Sequence, residues 1–201
     1  MKLLAAIYLF IGLSASVFGQ EDDSWREASQ EVKDSIDAIG MSTYASDKAK
    51  LREPIDNEVH RINSLDLDST YLDFPDLSTE GGELHVYKYD GQIVKLELRL
   101  FGETYQAQLL FYLRNGKLFS MEGRHTKYNA PITSDEFSME DSKEDQFWTI
   151  FKNRELLDYQ LLGDCGAPWQ PEFIKSENEK YISIFDNCMN AIETSSSEAL
   201  E

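Results

Sequence analysis

Cysteine, histidine and basic residues are scarce in this chain of 201 residues. It holds 2 cysteines, 3 histidines and 19 lysines and arginines against 37 aspartates and glutamates, which gives a formal net charge of −18. This excess of negative charge disfavours binding to nucleic acid and to anionic membrane surfaces. Because the acids are scattered rather than gathered in a tail, the charge indicates solubility, with a basic partner or divalent cations as the alternative.

Sequence motifs of the common enzyme sites are also missing. Gly-x-Ser-x-Gly, His-Glu-x-x-His, a P-loop and Gly-x-Gly-x-x-Gly do not occur. The candidate neutral-pH bases are His60 on a predicted helix and His85 and His125 on predicted strands. They are far apart in the sequence, so no catalytic, cofactor-binding or metal-binding residue is predicted and no cofactor is expected.

Clustered acids leave two alternatives open. Carboxylate oxygens are the ligands that calcium prefers, but neither acidic cluster has the glycine and the terminal glutamate of an EF-hand loop. A carboxylate pair can also hydrolyse glycosides, although 37 acidic residues produce such pairs by chance. The two clusters are Asp66 with Asp68, and Glu140 and Asp141 with Glu144 and Asp145. Alternate acids on a strand are usually its solvated face, and the second cluster lies in a predicted polar loop over residues 134–145, so a calcium site is not favoured.

One long apolar run occurs, and it lies at the N-terminus. Lys2 is followed by an apolar stretch from Leu3 to Phe18, which predicts a signal peptide over residues 1–19, cleaved before Gln20. The run is shorter than the roughly 20 residues that a membrane-spanning helix needs, so cleavage is favoured over anchoring. We therefore expect a periplasmic or secreted protein with no membrane span after cleavage.

The remaining chain is predicted to form one α+β domain over residues 20–193, followed by a polar tail over residues 194–201. Exported proteins with a small, even number of cysteines usually pair them, which predicts a disulfide between Cys165 and Cys188. Asp164 and Asp186 lie beside the two cysteines and disfavour a reactive thiolate. A structural bridge is therefore favoured over a redox site.

Apolar periodicity predicts three helices and a run of strands. The helices cover residues 24–39, the segment from Pro54 to about Ser64, with proline in its first turn, and residues 172–192. Short turns at Asp90-Gly91 and Asn115-Gly116 favour hairpins. The fold class is an antiparallel β-meander of about six strands, with one face covered by the terminal amphipathic helices. The strands are 83–89, about 94–100, 105–113, 117–128, 147–151 and 156–162, with Asn153-Arg154 at the last turn.

The segment from Gly81 to Pro131 repeats an aromatic residue, a short Asp/Asn-Gly turn and a lysine at the start of the next strand, as in Tyr112-Leu113-Arg114-Asn115-Gly116-Lys117-Leu118. Together with Val59-His60-Arg61-Ile62-Asn63, this pattern resembles a group of uncharacterised exported bacterial proteins, and loosely MORN-like repeats. The resemblance covers the central half of the chain. It implies an antiparallel sheet outside the cytoplasm and brings no catalytic residue with it.

Three functions fit these observations. The favoured one is a non-enzymatic binding or interaction domain, with an unknown protein or glycan partner, which uses the solvated sheet face or the acidic loop at residues 134–145. Exposed tyrosines such as Tyr87 and Tyr89 would be its contacts, although core or cross-strand packing is the favoured explanation of these side chains. The alternative is a hydrolase using carboxylates and His85 or His125 in a sheet-edge pocket. A passive component of an envelope assembly is the third.

Overall fold

The computed structural model describes residues 41–74, 78–163 and 169–198. The predicted signal peptide, the predicted helix at 24–39 and Cys165 lie outside these residues. The chain divides between Pro54 and Ile55 into two units, and the contacts described below all lie within the second, Ile55–Glu201.

The described residues form two helices and a seven-stranded sheet. Each strand pairs antiparallel with its neighbour in the sequence, in the order β1 to β7. This confirms the predicted α+β antiparallel meander, with seven strands where about six were expected. The elements are α1 (Met41–Asn63), β1 (Asp68–Asp73), β2 (Gly82–Tyr89), β3 (Gln92–Gly102), β4 (Tyr105–Arg114), β5 (Lys117–Lys127), β6 (Lys143–Lys152), β7 (Glu155–Leu161) and α2 (Pro171–Glu198).

Three of the hairpins are closed by two-residue turns in which both residues have a positive φ. This is the geometry of a type I′ turn, whose twist matches that of the flanking strands. All three had been predicted from the sequence. The turns are Asp90-Gly91 (49° and 74°), Asn115-Gly116 (52° and 72°) and Asn153-Arg154 (52° and 70°).

Both helices are longer than the apolar pattern indicates. α1 begins at Met41, so Pro54 lies inside the helix and the prediction that it occupies the first turn was wrong. Proline has no N–H to donate, so the helix lacks one backbone hydrogen bond there. α2 continues to Glu198, past the predicted end at Ile192 and into the segment expected to be a tail. No helix within the described ranges is long and apolar enough to cross a membrane.

One face of the sheet is apolar and packs against α2. Phe111 of β4 lies 5.8 Å from Phe185, and Phe147 of β6 lies 5.5 Å from Tyr181, measured between ring centroids. These rings are buried. Two residues before α2 begins, the Trp169 indole N–H donates a 2.9 Å hydrogen bond to the Tyr159 carbonyl.

The opposite face is covered at one end by the second half of α1. Val59 and Ile62 pack with Tyr112 and Phe119 in a buried cluster, against which Leu110 also lies. The expectation that both helices would cover the same face was therefore wrong, because Phe111 and Tyr112 point to opposite sides of β4 and each meets a different helix. The part of this face beyond the cluster around Val59 and Ile62 is the candidate site.

Candidate functional site

The site consists of two transverse rows of side chains on the face that α1 partly covers, called here the polar face. Residues directly opposite each other on neighbouring strands point to the same side, so the pairing register defines the rows. The central row is Tyr71, His85, Glu97, Leu110, Glu122, Trp148 and Gln160. The outer row is Asp73, Glu83, Arg99, Gln108, Arg124 and Gln146.

Glu97 is at the centre of a hydrogen-bond network on the polar face. Gln108 Nε2 and Arg99 Nε donate to its Oε1 at 2.6 and 2.7 Å. The Tyr87 hydroxyl donates to its Oε2 at 2.9 Å. Burial alone would raise the pKa of Glu97, but these hydrogen bonds and the Arg99 charge outweigh it and hold the pKa below its usual value. Glu97 is therefore a fixed anion at neutral pH, although it is only 7% exposed.

The network continues towards the sheet edge through Glu83. Glu83 Oε2 lies 3.9 Å from Arg99 Nη1 and 3.7 Å from His85 Nε2. Within the described part of the chain, His85 Nε2 has no hydrogen-bond partner. The His85 ring lies edge-on to Tyr71 with a centroid distance of 5.3 Å. This end of the face thus combines aromatic surface with charges of both signs.

A second carboxylate, Glu122, lies two strands away from Glu97 on the other side of Leu110. Burial raises the pKa of Glu122, and the nearby Asp56 charge adds to the increase. The Tyr112 hydroxyl donates to Glu122 Oε2 at 3.3 Å, and the Tyr112 pKa is well above its usual value, chiefly because the ring is buried. The polar face therefore holds two carboxylates whose pKa values are shifted in opposite directions.

Helix α1 is connected to this face by polar contacts at its C-terminal end. Asn63 Nδ2 donates to the Tyr112 hydroxyl at 3.1 Å, and Lys95 Nζ donates to Asn63 Oδ1 at 3.2 Å. Lys95 Nζ also lies 4.4 Å from the centre of the Tyr87 ring, a cation–π distance. These contacts order the border between the covered and the open part of the polar face.

The sheet does not bring the three histidines together. His85 of β2 points to the polar face, while His125 of β5 points to the apolar face and stacks on Tyr105 at 5.8 Å. Burial lowers the pKa of His125, against the pull of Asp145. His60 is an exposed residue of α1. Of the three, His85 is the one beside carboxylates on the open face.

The acidic clusters proposed as calcium ligands are spread over separate elements. Asp68 pairs with Lys88 across the first two strands, and Glu144 lies in β6 with its Oε1 3.7 Å from Arg124 Nε. Glu140 and Asp141 lie in the loop before β6. In the ranges that the structure describes, no three His, Cys, Asp or Glu side chains are grouped as metal ligands. The segment predicted as an acidic loop at 134–145 is partly strand, since β6 begins at Lys143.

The described cysteine, Cys188, is fully buried in α2, and burial raises its pKa to about 12. No disulfide is present among the described residues, which do not include Cys165. The Cys165–Cys188 bridge therefore stays a prediction. An activated thiol has a lowered pKa, whereas burial raises the pKa of Cys188 and disfavours its reactive thiolate form.

Sequence reasoning identified the polar side of β3 but not its chemistry. The alternation of Lys95, Glu97 and Arg99 predicts a solvated face, and for Glu97 this was wrong. Glu97 is buried, and two of its hydrogen-bond donors come from neighbouring strands, Tyr87 on β2 and Gln108 on β4. Alternation along one strand gives the face of a residue, whereas its partners depend on the register with neighbouring strands.

Fold and site together define a small α+β meander protein with an ordered polar sheet face. Compared with known proteins, the chain matches no family model, no curated protein and no solved structure.

Proposed function

We propose that this chain is an exported, non-enzymatic binding domain and that the polar face is its recognition surface. The observation that carries the proposal is the Glu97 network, in which Tyr87, Arg99 and Gln108 are held on one fixed anion. A surface whose donors are already ordered loses little side-chain entropy when a partner binds. Arg99 remains 44% exposed while bonded to Glu97, so it is both positioned and accessible.

The chemistry of the polar face suits a protein or glycan partner. Arg99, Arg124 and Gln146 supply donors along the outer row, and Tyr71 supplies an exposed ring in the central row. Amide, guanidinium and aromatic groups are common in surfaces that recognise polar ligands. The apolar run at residues 3–18 supports a periplasmic or secreted location. Membership of the exported bacterial group with MORN-like hairpins is part of the same proposal.

A charge-reversal pair tests the proposal. The chain from Gln20 onward would be immobilised, incubated with envelope extract of the source cells, cross-linked and analysed by mass spectrometry. We expect a partner whose retention falls about tenfold in Arg124→Glu, which changes an exposed side chain of the outer row. Lys175→Glu, a control on the exposed side of α2, should retain it as the wild type does. Equal retention by all three proteins, or no retained partner, would refute the proposal.

A hydrolase is the second candidate, and one observation favours it. Glu97 and Glu122 flank Leu110, about 9–10 Å apart between Cα atoms by the strand spacing, with pKa values shifted in opposite directions. The binding function ranks first because both oxygens of Glu97 already accept hydrogen bonds.

Chromogenic glycosides and esters assayed with wild type and Glu122→Gln test this second candidate. A hydrolase would lose about a hundredfold or more of its activity in Glu122→Gln, while Glu140→Gln in the loop would not change it. Absence of turnover with every substrate would exclude hydrolysis of those substrates and leave the binding function in first place.

A further inference from the structure

Within residues 41–74, 78–163 and 169–198, β1 is an edge strand, and the backbone groups on its outer side can be assigned from the sheet register. Phe74 N donates to Gly82 O at 2.8 Å, so this pair is hydrogen-bonded. Antiparallel pairs alternate between bonded and non-bonded, and the register from Asp68 to Asp73 has no bulge. The backbone N–H and C=O groups of Ser69, Tyr71 and Asp73 therefore point away from β2, towards the open edge of the sheet.

The edge is accessible along its length. Five of the six residues of β1 are exposed, with Leu72 as the half-buried exception. The strand has no proline, lysine or bulge, three of the devices that keep an edge from pairing with another chain, and its charged residues, Asp68 and Asp73, are both acidic. Tyr71, at the centre of the edge, is 49% exposed, and its hydroxyl donates to the Asp73 carboxylate.

Most of the charged side chains around the edge are acidic, and the nearby cations are Lys88, opposite Asp68, and Arg99, 3.9 Å from Glu83. Between Arg61 and Lys88 the sequence has six acidic residues and neither lysine nor arginine. Asp73 lies directly opposite Glu83, and like charges in such a pair repel each other. A positively charged partner would relieve this repulsion, whereas a second copy of β1 would bring the same acids together and increase it.

We infer that the outer edge of β1 is a docking site for an extended, lysine- or arginine-rich segment of a partner protein, which adds to the sheet as an eighth strand. The inference rests on the proposed binding function and names the partner class and the mode of contact. Backbone hydrogen bonds to Ser69, Tyr71 and Asp73 provide affinity, as in other cases of strand addition. Basic side chains at alternate positions lie on the polar face, over the Tyr71 ring and beside Asp73 and Glu83.

Synthetic peptides test the inference without the natural partner. The probe is a dye-labelled, acetylated and amidated heptapeptide in which lysine alternates with valine or threonine. One control peptide replaces every lysine with glutamate, and another carries N-methyl groups on alternate residues, which removes backbone donors and keeps the charge. We expect the lysine peptide to bind in an anisotropy titration, and both controls to bind at least about tenfold more weakly.

Variants of the edge locate the binding site. Ser69→Pro removes a donor that points away from β2 and leaves the β1–β2 hydrogen bonds in place, as proline at a sheet edge permits. Ser69→Ala removes only the hydroxyl and is the matched control. We expect Ser69→Pro to weaken binding of the lysine peptide at least about tenfold and Ser69→Ala to leave it within about twofold. Amide shifts of ¹⁵N-labelled wild type should be largest at Ser69, Tyr71 and Asp73.

The outcomes separate this inference from the proposed function. Equal affinity for the lysine and N-methyl peptides, or shifts centred on Arg99 and Gln108, would overturn strand addition while leaving the polar face as a binding surface. A dimer in sedimentation that Ser69→Pro abolishes would replace the basic partner with a second copy. If the peptide binds at the edge while wild type and Arg124→Glu retain the envelope partner equally, strand addition at β1 would be supported. The polar face would then be refuted as the recognition surface. The N-methyl peptide keeps the test valid even if Ser69→Pro does not fold.

Discussion

Replacing Glu97 with glutamine tests whether the polar face depends on a buried anion. The variant keeps the size and shape of the side chain but changes one carboxylate oxygen into an NH₂ group. Oε1 accepts from Arg99 and Gln108 and Oε2 accepts from Tyr87. An NH₂ group in place of Oε1 would face two donors, and one in place of Oε2 would leave the Tyr87 hydroxyl without its acceptor, able only to accept from the new amide. The Arg99 guanidinium would also lose its partner charge.

The expected cost follows from these contacts. Hydrogen bonds to a charged group contribute about 1.5–3 kcal/mol each, and a buried donor left unpaired costs about 1–3 kcal/mol. Because glutamine keeps one acceptor oxygen, we expect a loss of about 2–4 kcal/mol in the free energy of unfolding. For a domain of this size that corresponds to a decrease in Tm of roughly 5–15 °C. Urea unfolding followed by tryptophan fluorescence would measure it.

Glu83→Gln is the matched control. Its carboxylate is on the same face but lies 3.7 and 3.9 Å from its partners, so we expect a change of no more than about 0.5 kcal/mol. The pH dependence gives a second measurement. The Glu97 pKa is lowered in the folded state, so its contribution is present above the unfolded pKa and is lost as the pH falls through the folded one. Equal stability of the two variants, or an unchanged acid response in Glu97→Gln, would refute the network argument.

Three other predictions concern Glu122, the apolar face and the cysteines. Glu122 has a raised pKa in the folded state and so costs stability at neutral pH; Glu122→Gln should be neutral or stabilising at pH 7 in urea unfolding, and clear destabilisation would contradict this. A Cβ at Gly123 would overlap the buried Phe147 ring, with Cε2 at 2.7 Å. Gly123→Ala should therefore lower the free energy of unfolding by about 1–3 kcal/mol. In a double-mutant cycle, Phe147→Leu should recover part of this loss. Intact mass under non-reducing conditions should show Cys165 bonded to Cys188, and alkylation of Cys188 in the unfolded, unreduced protein would exclude the bridge.

The hairpins were predictable because their signals are local. Asp90-Gly91 and Asn115-Gly116 accept the positive φ that a two-residue turn requires, and the flanking residues alternate clearly. The opposite directions of Phe111 and Tyr112 follow from the same alternation. These elements depend on a few adjacent residues, so the sequence is sufficient to predict them.

β1 and the first half of α1 were missed for the opposite reason. β1 has a single half-buried side chain, Leu72, so an edge strand with one neighbour shows no apolar alternation. The residues of α1 before Pro54 have no apolar stripe, and the proline was interpreted as a start signal because it has that role in many helices. Periodicity reports burial, so a strand that buries as little surface as β1 is not visible to it.

The order of the strands has a consequence for how the chain folds. Every strand pairs with its neighbour in the sequence, so nearly all sheet contacts form by closing short loops, which favours rapid folding. The longest connection between consecutive paired strands joins β5 to β6, across residues 128–142, and its closure costs the most chain entropy. Asn129 offsets part of this cost, because its side chain donates to the Glu136 carbonyl and accepts from Ser138 N. We therefore expect the β1–β5 meander to form as one kinetic unit and the β6–β7 hairpin with α2 to join it afterwards.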